Sequence, residues 1–391
     1  MKLRVAIVVS HPIQHFCPQY RSFSKLEGVS IKVFFASALG LRKYTDPNFK
    51  KEISWGNLHL DEFDHTFLNG DVVLPSDSNL DAKTLECEVV KFAPDLVIIY
   101  GYFQKLQRRA HTWAFKNKIK IAYISDSELR HQRNSLKEFI KFLFIKRYFS
   151  RIDYFLSVGD ANESFYKYYG VSASKFVRMH FPIDLHAYKK AFESRFELRV
   201  RIREKFKIET DDVVLSVVGK LVPWKNQEHI IEALRRLERK HIYLNLFIIG
   251  SGSTQPELER KAQCLTKSKI HFPGFVQIDE LPSYYAATDI YVHPASVEPH
   301  SIAISEAIYM GCPIIISDRC GSYGAHDDVQ EGKNGFVFPF GDVGALCDAI
   351  EKLLDANTRQ QFGACSHEIS KRFQEQAHEG VLQELRKKVQ A

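Results

Sequence analysis

Two pairs of charged residues in this chain stand where charge can do chemical work. In SVEPHSIAISEAIYMGCPIIIS, residues 296–317, Glu298 and Glu306 are separated by seven residues. Glu298 falls in a loop after the apolar run Ile290–Val292, and Ser301 is a good N-cap type for the helix that follows. Glu306 lies inside that helix, and Gly311 ends it before the next strand. The first amides of such a helix, at Ser301, Ile302 and Ala303, have no partner within it and favour an anion. A loop carboxylate at Glu298 can accept hydrogen bonds from sugar hydroxyls, and a helix carboxylate at Glu306 can hold a ribose diol. Taken alone, two glutamates at this spacing are better explained as one loop residue and one exposed helix residue.

The second pair sits in VVGKLVPWKNQEHIIEAL, residues 217–234. A strand ends at Gly219, Lys220 and Lys225 follow five residues apart, and a helix begins near Asn226. Fixed cations here would stabilise the negative charge that builds on a diphosphate as a glycosidic bond to it breaks, more in the transition state than before it. A hydrogen bond to a charged group is typically worth ~1.5–3 kcal/mol, so the pair could act without any metal. In a chain with 54 basic residues a lone lysine pair would be two surface residues; directly after a buried strand and a glycine, function is the better reading. A third element, IIGSGS at 248–253, places Gly250 in another strand-to-turn junction. It is not a dinucleotide fingerprint, because G-x-G-x-x-G would need glycine where Gln255 stands.

The elements that must position these residues alternate. In the first half, Leu3–Val9, Ile31–Phe35, Leu96–Tyr100, Ile119–Ile124, Tyr154–Val158 and Phe176–Met179 read as strands, with helices at Gln104–Asn117 and Leu136–Phe149. In the second half the strands are Val213–Val218, Leu244–Ile249, Ile270–Phe272, Ile290–Val292, Pro313–Ser317 and Gly335–Phe338. Helices fit at Gln227–Arg239, Pro256–Thr266, Ile302–Tyr309 and Val343–Leu354. Strands rich in Val, Ile and Phe between amphipathic helices imply an α/β protein with parallel sheets covered on both faces. The stretch from Asn48 to Lys91 has no assignable pattern. FPID (Phe181–Asp184) breaks the first series, and a charged helix at Ser194–Phe206 leads into the second, so the boundary falls near residue 187. The expected organisation is residues 1–187, 188–365, and a tail of 366–391 whose apolar positions Ile369, Phe373, Leu382, Leu385 and Val389 make an amphipathic helix. Ligands of open parallel sheets sit at the C-terminal ends of the strands, so a cleft between two such domains is the expected site.

With its elements in place, the segment around Glu298 resembles the E-P-(F/H)-(G/S)-x-x-x-x-E-A…G-x-P-(V/I) signature of glycosyltransferase family 4, strongest over residues 213–342. The resemblance implies a GT-B fold, two Rossmann-like doubly wound domains facing a central cleft, and a retaining transfer from a UDP- or GDP-sugar. It would make Glu298 the residue contacting the donor sugar and Glu306 the ribose ligand. The family usually has Phe-Gly where this chain has His300 and Ser301, and Arg where it has Lys220, an exchange that loses a bidentate fork but keeps the charge. Gly219 and Gly250 match the family's donor-binding turns. HFPGFV (residues 271–276) resembles the segment bordering the base, and residues 321–342 the closing Gly-rich elements. In this fold the tail helix crosses back to the first domain.

The first domain should select the acceptor. SHPIQHF, residues 10–16, stands where family 4 members commonly have a Gly-rich loop, and His11 or Gln14 could face the acceptor or the diphosphate. In SDSELR, residues 125–130, Asp126 is the candidate for the catalytic cleft, with Glu128 its rival and a turn-capping role the bland alternative. The stretch of residues 137–155 interleaves Lys137, Lys141, Lys146, Arg147 and Arg151 with aromatic and aliphatic residues, which fits either docking on an anionic membrane or an ordinary helix with a solvated basic side. The expected acceptor is a glycan or lipid-linked hydroxyl in cell-surface polysaccharide or lipopolysaccharide synthesis.

Composition bounds these readings. The 391 residues suit two domains, and 45% hydrophobic with 26% charged residues is ordinary for a globular chain. No apolar run approaches the ~18 residues that span a bilayer, and the short Val5–Val9 core lacks a cleavage site, so it reads as a strand and not a signal peptide. Seven scattered cysteines without C-x-x-C or zinc spacing point to the cytoplasm, with peripheral attachment to the inner membrane face open. The net charge of +7 asks for an anionic partner; no nucleic-acid motif is present, and neither cofactor nor metal is expected. The rivals are a nucleotide-sugar 2-epimerase on the same fold, recognisable by donor isomerisation without acceptor, and a noncatalytic nucleotide- or carbohydrate-binding module, against which both glutamates and both lysines argue. A phosphorylase would need a pyridoxal phosphate lysine, for which there is no clear candidate.

Overall fold

In the computed structural model, residues 2–41, 44–46, 51–53, 58–130 and 136–390 are described, with the side chains of residues 44–46, 51–53, 136 and 137 left aside. Residues 48–50 and 54–57 of the unassigned stretch beginning at Asn48, and the Lys137 side chain, therefore lie outside the described residues.

The first series of strands is β1 (Leu3–Val9), β2 (Val29–Phe35), β3 (Tyr44–Asp46), β4 (Lys51–Ile53), β5 (His65–Phe67), β6 (Leu96–Tyr100), β7 (Lys120–Ile124), β8 (Tyr154–Ser157) and β9 (Phe176–Arg178). Seven of them form one sheet in the order β5-β2-β1-β6-β7-β8-β9, parallel throughout, while β3 and β4 make a separate antiparallel pair. The helices of this half are α1 (Cys17–Ser24), α2 (Leu85–Phe92), α3 (Lys105–Lys116), α4 (Leu136–Phe149) and α5 (Asp160–Tyr168). Strand residues such as Val5, Ile7 and Val9 point into one core while Ala6 and Val8 point into another. A sheet buried on both faces needs continuous apolar strands, and LRVAIVV supplies one.

Asp184 ends the first series by accepting a hydrogen bond from the Ala187 amide, which caps α6 (Leu185–Glu193); α7 (Arg195–Phe206) follows. The second series is β10 (Val214–Val218), β11 (Asn245–Ile249), β12 (Lys269–Gly274), β13 (Ile290–His293), β14 (Ile314–Ser317) and β15 (Gly335–Phe338), a parallel six-stranded sheet ordered β12-β11-β10-β13-β14-β15. Its helices are α8 (Glu228–Glu238), α9 (Gln255–Ala262), α10 (Leu281–Ala287), α11 (Ile302–Tyr309) and α12 (Val343–Lys352). Two further cores cover its faces.

The tail is longer than a single terminal helix. α13 (Ala356–Glu375) runs through a π-helical turn at Gln376–Gly380 into α14 (Val381–Gln390). Val381, Leu382 and Leu385 are fully buried in the first sheet's core, Gln19 donates to the Ala377 carbonyl, and the Tyr154 hydroxyl donates to that of Lys388. The tail therefore packs against the first sheet. Among the described residues no helix is long and apolar enough to cross a membrane.

Candidate functional site

The strand order reverses beside β1 and β6 in the first sheet and beside β10 and β13 in the second. The segments leaving those strands meet in a cleft of about 740 Å³. His15, Phe16, Tyr100, Gly101, Ser125 and Asp126 line it from the first sheet, and Gly219, Lys220, Lys225, Glu298, His300 and residues 301–303 from the second, with Phe181 between them. This is where open parallel sheets bind ligands.

Lys225 and Glu298 are brought together by backbone. After β10 the chain turns at Gly219, whose φ of 148° favours glycine, and a short 3-10 turn at Pro223–Lys225 follows. The Trp224 carbonyl accepts from the Ser296 amide at 2.9 Å, tying this turn to the loop after β13. The Glu298 carbonyl accepts from the Gly321 amide at 2.8 Å. So held, the Lys225 ammonium forms an ion pair with the Glu298 carboxylate, both side chains less than one-fifth exposed. The His293 Nε2 stands 3.4 Å from the same carboxylate oxygen. Burial holds that imidazole well below its ordinary pKa, with Lys225 adding to the effect, so it is neutral. Burial also pulls the Lys225 ammonium down to about 8, and the neighbouring Lys220 pulls the same way.

Glu306, on α11, does not line the cleft. It is 6% exposed and accepts a hydrogen bond from the Tyr285 hydroxyl at 3.0 Å. Burial pushes its carboxyl up to about 7, while the Tyr285 bond works the other way. The start of α11 also differs from expectation. Ser301 occupies the N-cap position with extended backbone, but its side chain caps nothing. Its amide is already taken, donating to the Ser322 hydroxyl at 2.9 Å. Ile302 and Ala303 remain as the first helical residues on the cleft wall, where N–H groups have no partner within the helix.

His300 stands where the resembled family usually has Phe, and its ring is anchored by acid. Nε2 lies 3.4 Å from Asp327 and 3.6 Å from Asp328, all three buried. Burial disfavours the charged imidazole, but the two aspartates outweigh it and hold its pKa above the ordinary value. Burial, with Asp327 adjacent, pushes Asp328 up to about 6. Among the described residues this is the one group of three or more His, Cys, Asp or Glu close enough to share a metal ion, with ligand atoms within 4.8 Å of one another. Its carboxylates already accept hydrogen bonds, Asp328 from the Ser305 hydroxyl at 2.7 Å and Asp327 from the Asp160 amide at 2.8 Å. Asp160 belongs to α5 of the first half and pairs with Arg178 at 2.6 Å, so the His300 anchor also ties the two halves together.

Of the remaining candidates, Asp126 lines the cleft, whereas Glu128 is not in its wall and pairs with Arg130. Gly250 is not in the wall either: its φ is 138°, and a Cβ there would run into the Gly219 carbonyl oxygen. It shapes the Lys220 turn from behind. His11 bonds the Ser10 hydroxyl through Nδ1 at 2.8 Å, and burial pulls its pKa down to about 4; it does not reach the cleft wall. Gln14 faces a different cavity of about 540 Å³ with Arg21, Asp184 and His378. The residues of that loop which do face the cleft are the next two, His15 and Phe16, which sequence reasoning passed over. A loop seven residues long gives no signal for which side chain turns inward.

Residues 199–377 match the family "Glycosyl transferases group 1". Among curated relatives, the GDP-mannose-dependent alpha-(1-6)-phosphatidylinositol monomannoside mannosyltransferase of Mycobacterium tuberculosis is 30% identical over 179 residues, 44% of this chain and 46% of that protein. The sulfoquinovosyl transferase SQD2 of Arabidopsis thaliana is 28% identical over 192 residues, 49% of this chain and 36% of that protein. The chain thus spans less than half the length of these relatives. Solved structures match along nearly its whole length. A glycosyltransferase from Rickettsia africae aligns with a TM-score of 0.73 at 16% identity, covering 99% of this chain and 98% of that one. Anabaena Alr3699/HepE in complex with UDP and glucose aligns at 0.67 and 16% identity, covering 98% and 99%. The fold is GT-B.

Proposed function

We propose that the chain is a retaining glycosyltransferase of family 4 type that moves a sugar from a UDP- or GDP-linked donor onto a hydroxyl of a cell-surface glycan or lipid-linked acceptor, on the cytoplasmic side. The observation that carries this reading is convergence: Lys220, Lys225, Glu298 and the start of α11 come from separate stretches of one domain and line the same cleft, opposite Asp126 of the other. The match of residues 199–377 and the likeness to a UDP-bound structure support it.

Lys220 and Lys225 hold the donor diphosphate, with the Ile302 and Ala303 amides beside them, and take the place of a metal. As the bond between the sugar's anomeric carbon and the β-phosphate oxygen breaks, the electron pair stays on the phosphate, where two ammonium groups stabilise it most. Glu298 then releases Lys225 in part and accepts hydrogen bonds from the sugar hydroxyls. Glu306 accepts from the ribose diol once its link to Tyr285 rearranges. The acceptor oxygen attacks the face the phosphate leaves, and its proton passes to the departing phosphate oxygen. Asp126 lies on the acceptor side to orient that hydroxyl.

A thermal-shift screen across nucleoside diphosphates and their sugars, followed by kinetics, tests the assignment. One base should stabilise selectively. Glu306→Ala should abolish most of that shift, and Lys225→Ala should lower kcat by about 10²–10³, the usual loss for an electrostatic stabiliser of a transition state. Wild-type kinetics in both variants would overturn the site assignment.

A further inference from the structure

The apolar residues of α4 do not all face the core. Ile145, Tyr148 and Phe149 pack under the first sheet, with Phe142 against them. On the opposite side Phe139, Ile140, Leu143 and Phe144 are between 49% and 61% exposed, spaced one and four residues apart on a single helix face. Phe103, from the turn after β6, is 63% exposed, and its neighbour Tyr102 contacts the Phe144 ring at 6.4 Å. A helix apolar on both sides is one whose second side also meets something apolar.

Charge says what. Residues 101–151 hold thirteen Lys and Arg against three Asp and Glu, an excess of ten. The whole chain has +7, so the other 340 residues are net acidic by three. The protein's positive charge is therefore a property of this segment. On α4 itself, exposed Lys141, Lys146 and Arg147 flank the apolar face. Exposed aromatic and aliphatic residues bordered by ammonium and guanidinium groups complement a lipid headgroup layer, apolar part into the acyl boundary and cations against the phosphates.

Topology places the face. β7 and β8 are parallel neighbours, so α4, which connects them, starts at the C-terminal end of β7. That end carries Ser125 and Asp126 into the cleft, and the end of β6 carries Gly101 there beside Phe103. We propose that this face of α4, with Phe103, docks on an anionic phospholipid bilayer and so presents the Asp126 side of the cleft to the hydroxyl of a lipid-linked acceptor. Docking is independent of the chemistry; its consequence for the acceptor rests on the glycosyl-transfer reading.

The test is cosedimentation of the full chain with vesicles of phosphatidylcholine alone and of phosphatidylcholine mixed with phosphatidylglycerol. Binding should require the anionic lipid and weaken with salt. Lys141→Gln and Arg147→Gln should each lower the partition coefficient about fivefold. Ile140→Ser/Leu143→Ser should lower it about tenfold or more, with an unchanged far-UV spectrum and melting temperature because both side chains are exposed. Absence of wild-type binding to the mixed vesicles overturns the proposal, as does undiminished binding by the double serine variant. A solution dimer that the serine pair dissolves, with vesicle partition unaffected, assigns the face to self-association instead. Nucleotide-sugar binding measured without vesicles should be the same in all these variants; if docking fails while that binding stands, only the membrane claim falls.

Discussion

At the scale of single residues, the cleft is tuned by burial acting on two groups in opposite directions. The Lys225 ammonium is drawn down to about 8 and the Glu306 carboxyl pushed up to about 7. Under the proposed function, turnover would need Lys225 charged to meet the leaving phosphate and Glu306 charged to accept from the ribose. A base of the ligand-free enzyme titrating near 7 and an acid near 8 give kcat/KM a narrow bell, falling below the first and above the second. Initial-rate profiles from pH 5.5 to 9.5 (about the range that brackets both groups) should peak near pH 7.5. Glu306→Gln should flatten the acid limb, and Lys225→Arg should move the alkaline limb upward, because guanidinium stays charged. An acid limb that persists in Glu306→Gln would place that titration elsewhere. The lysines and glutamates could be picked out from their neighbours in sequence. That Glu306 sits behind the wall on Tyr285, and that His300 rests on Asp327 and Asp328, depended on residues 21 to 28 positions away whose meeting no local spacing encodes.

At the scale of elements, the cleft depends on close backbone approach between neighbouring strand ends. Gly250 holds φ at 138° with the Gly219 carbonyl where a side chain would go. Gly250→Ala should therefore cost about 1–3 kcal/mol in backbone strain alone, and displacement of the Gly219 turn should move Lys220 and weaken nucleotide binding together with stability. Urea unfolding and calorimetric titration on the same variant check both; intact binding at reduced stability would leave Gly250 a purely structural residue. Strands such as β1, β6 and β15 were legible at their full bounds. The three-residue β5 and helices α1, α2, α5, α6 and α10 were not. α1 and α10 have no side-chain cap, and β5 is too short for periodicity to register.

At the scale of the whole molecule, the two halves are joined by more than the chain between them. Asp160 of α5 binds both Asp327 and the His326 amide, and α14 completes the first sheet's core from the far end of the sequence. Leu385 is fully buried there, so Leu385→Ala should remove about 2–5 kcal/mol from the first half while leaving the second half intact. Two separated transitions in denaturant, only the earlier one shifted, would be the outcome; a shift of both together would mean the halves unfold as one unit. The sequence by itself determined the alternation of strand and helix and which charged residues stand at strand ends, because hydrophobic period and turn chemistry are local. Only the tertiary structure decided that Asp126 and not Glu128 reaches the cleft, that His15 and Phe16 and not His11 and Gln14 line it, and that the outer face of α4 is left uncovered by the described residues. Those outcomes follow from which segments pack together, and packing joins residues hundreds of positions apart, as Gln19 and Ala377 are.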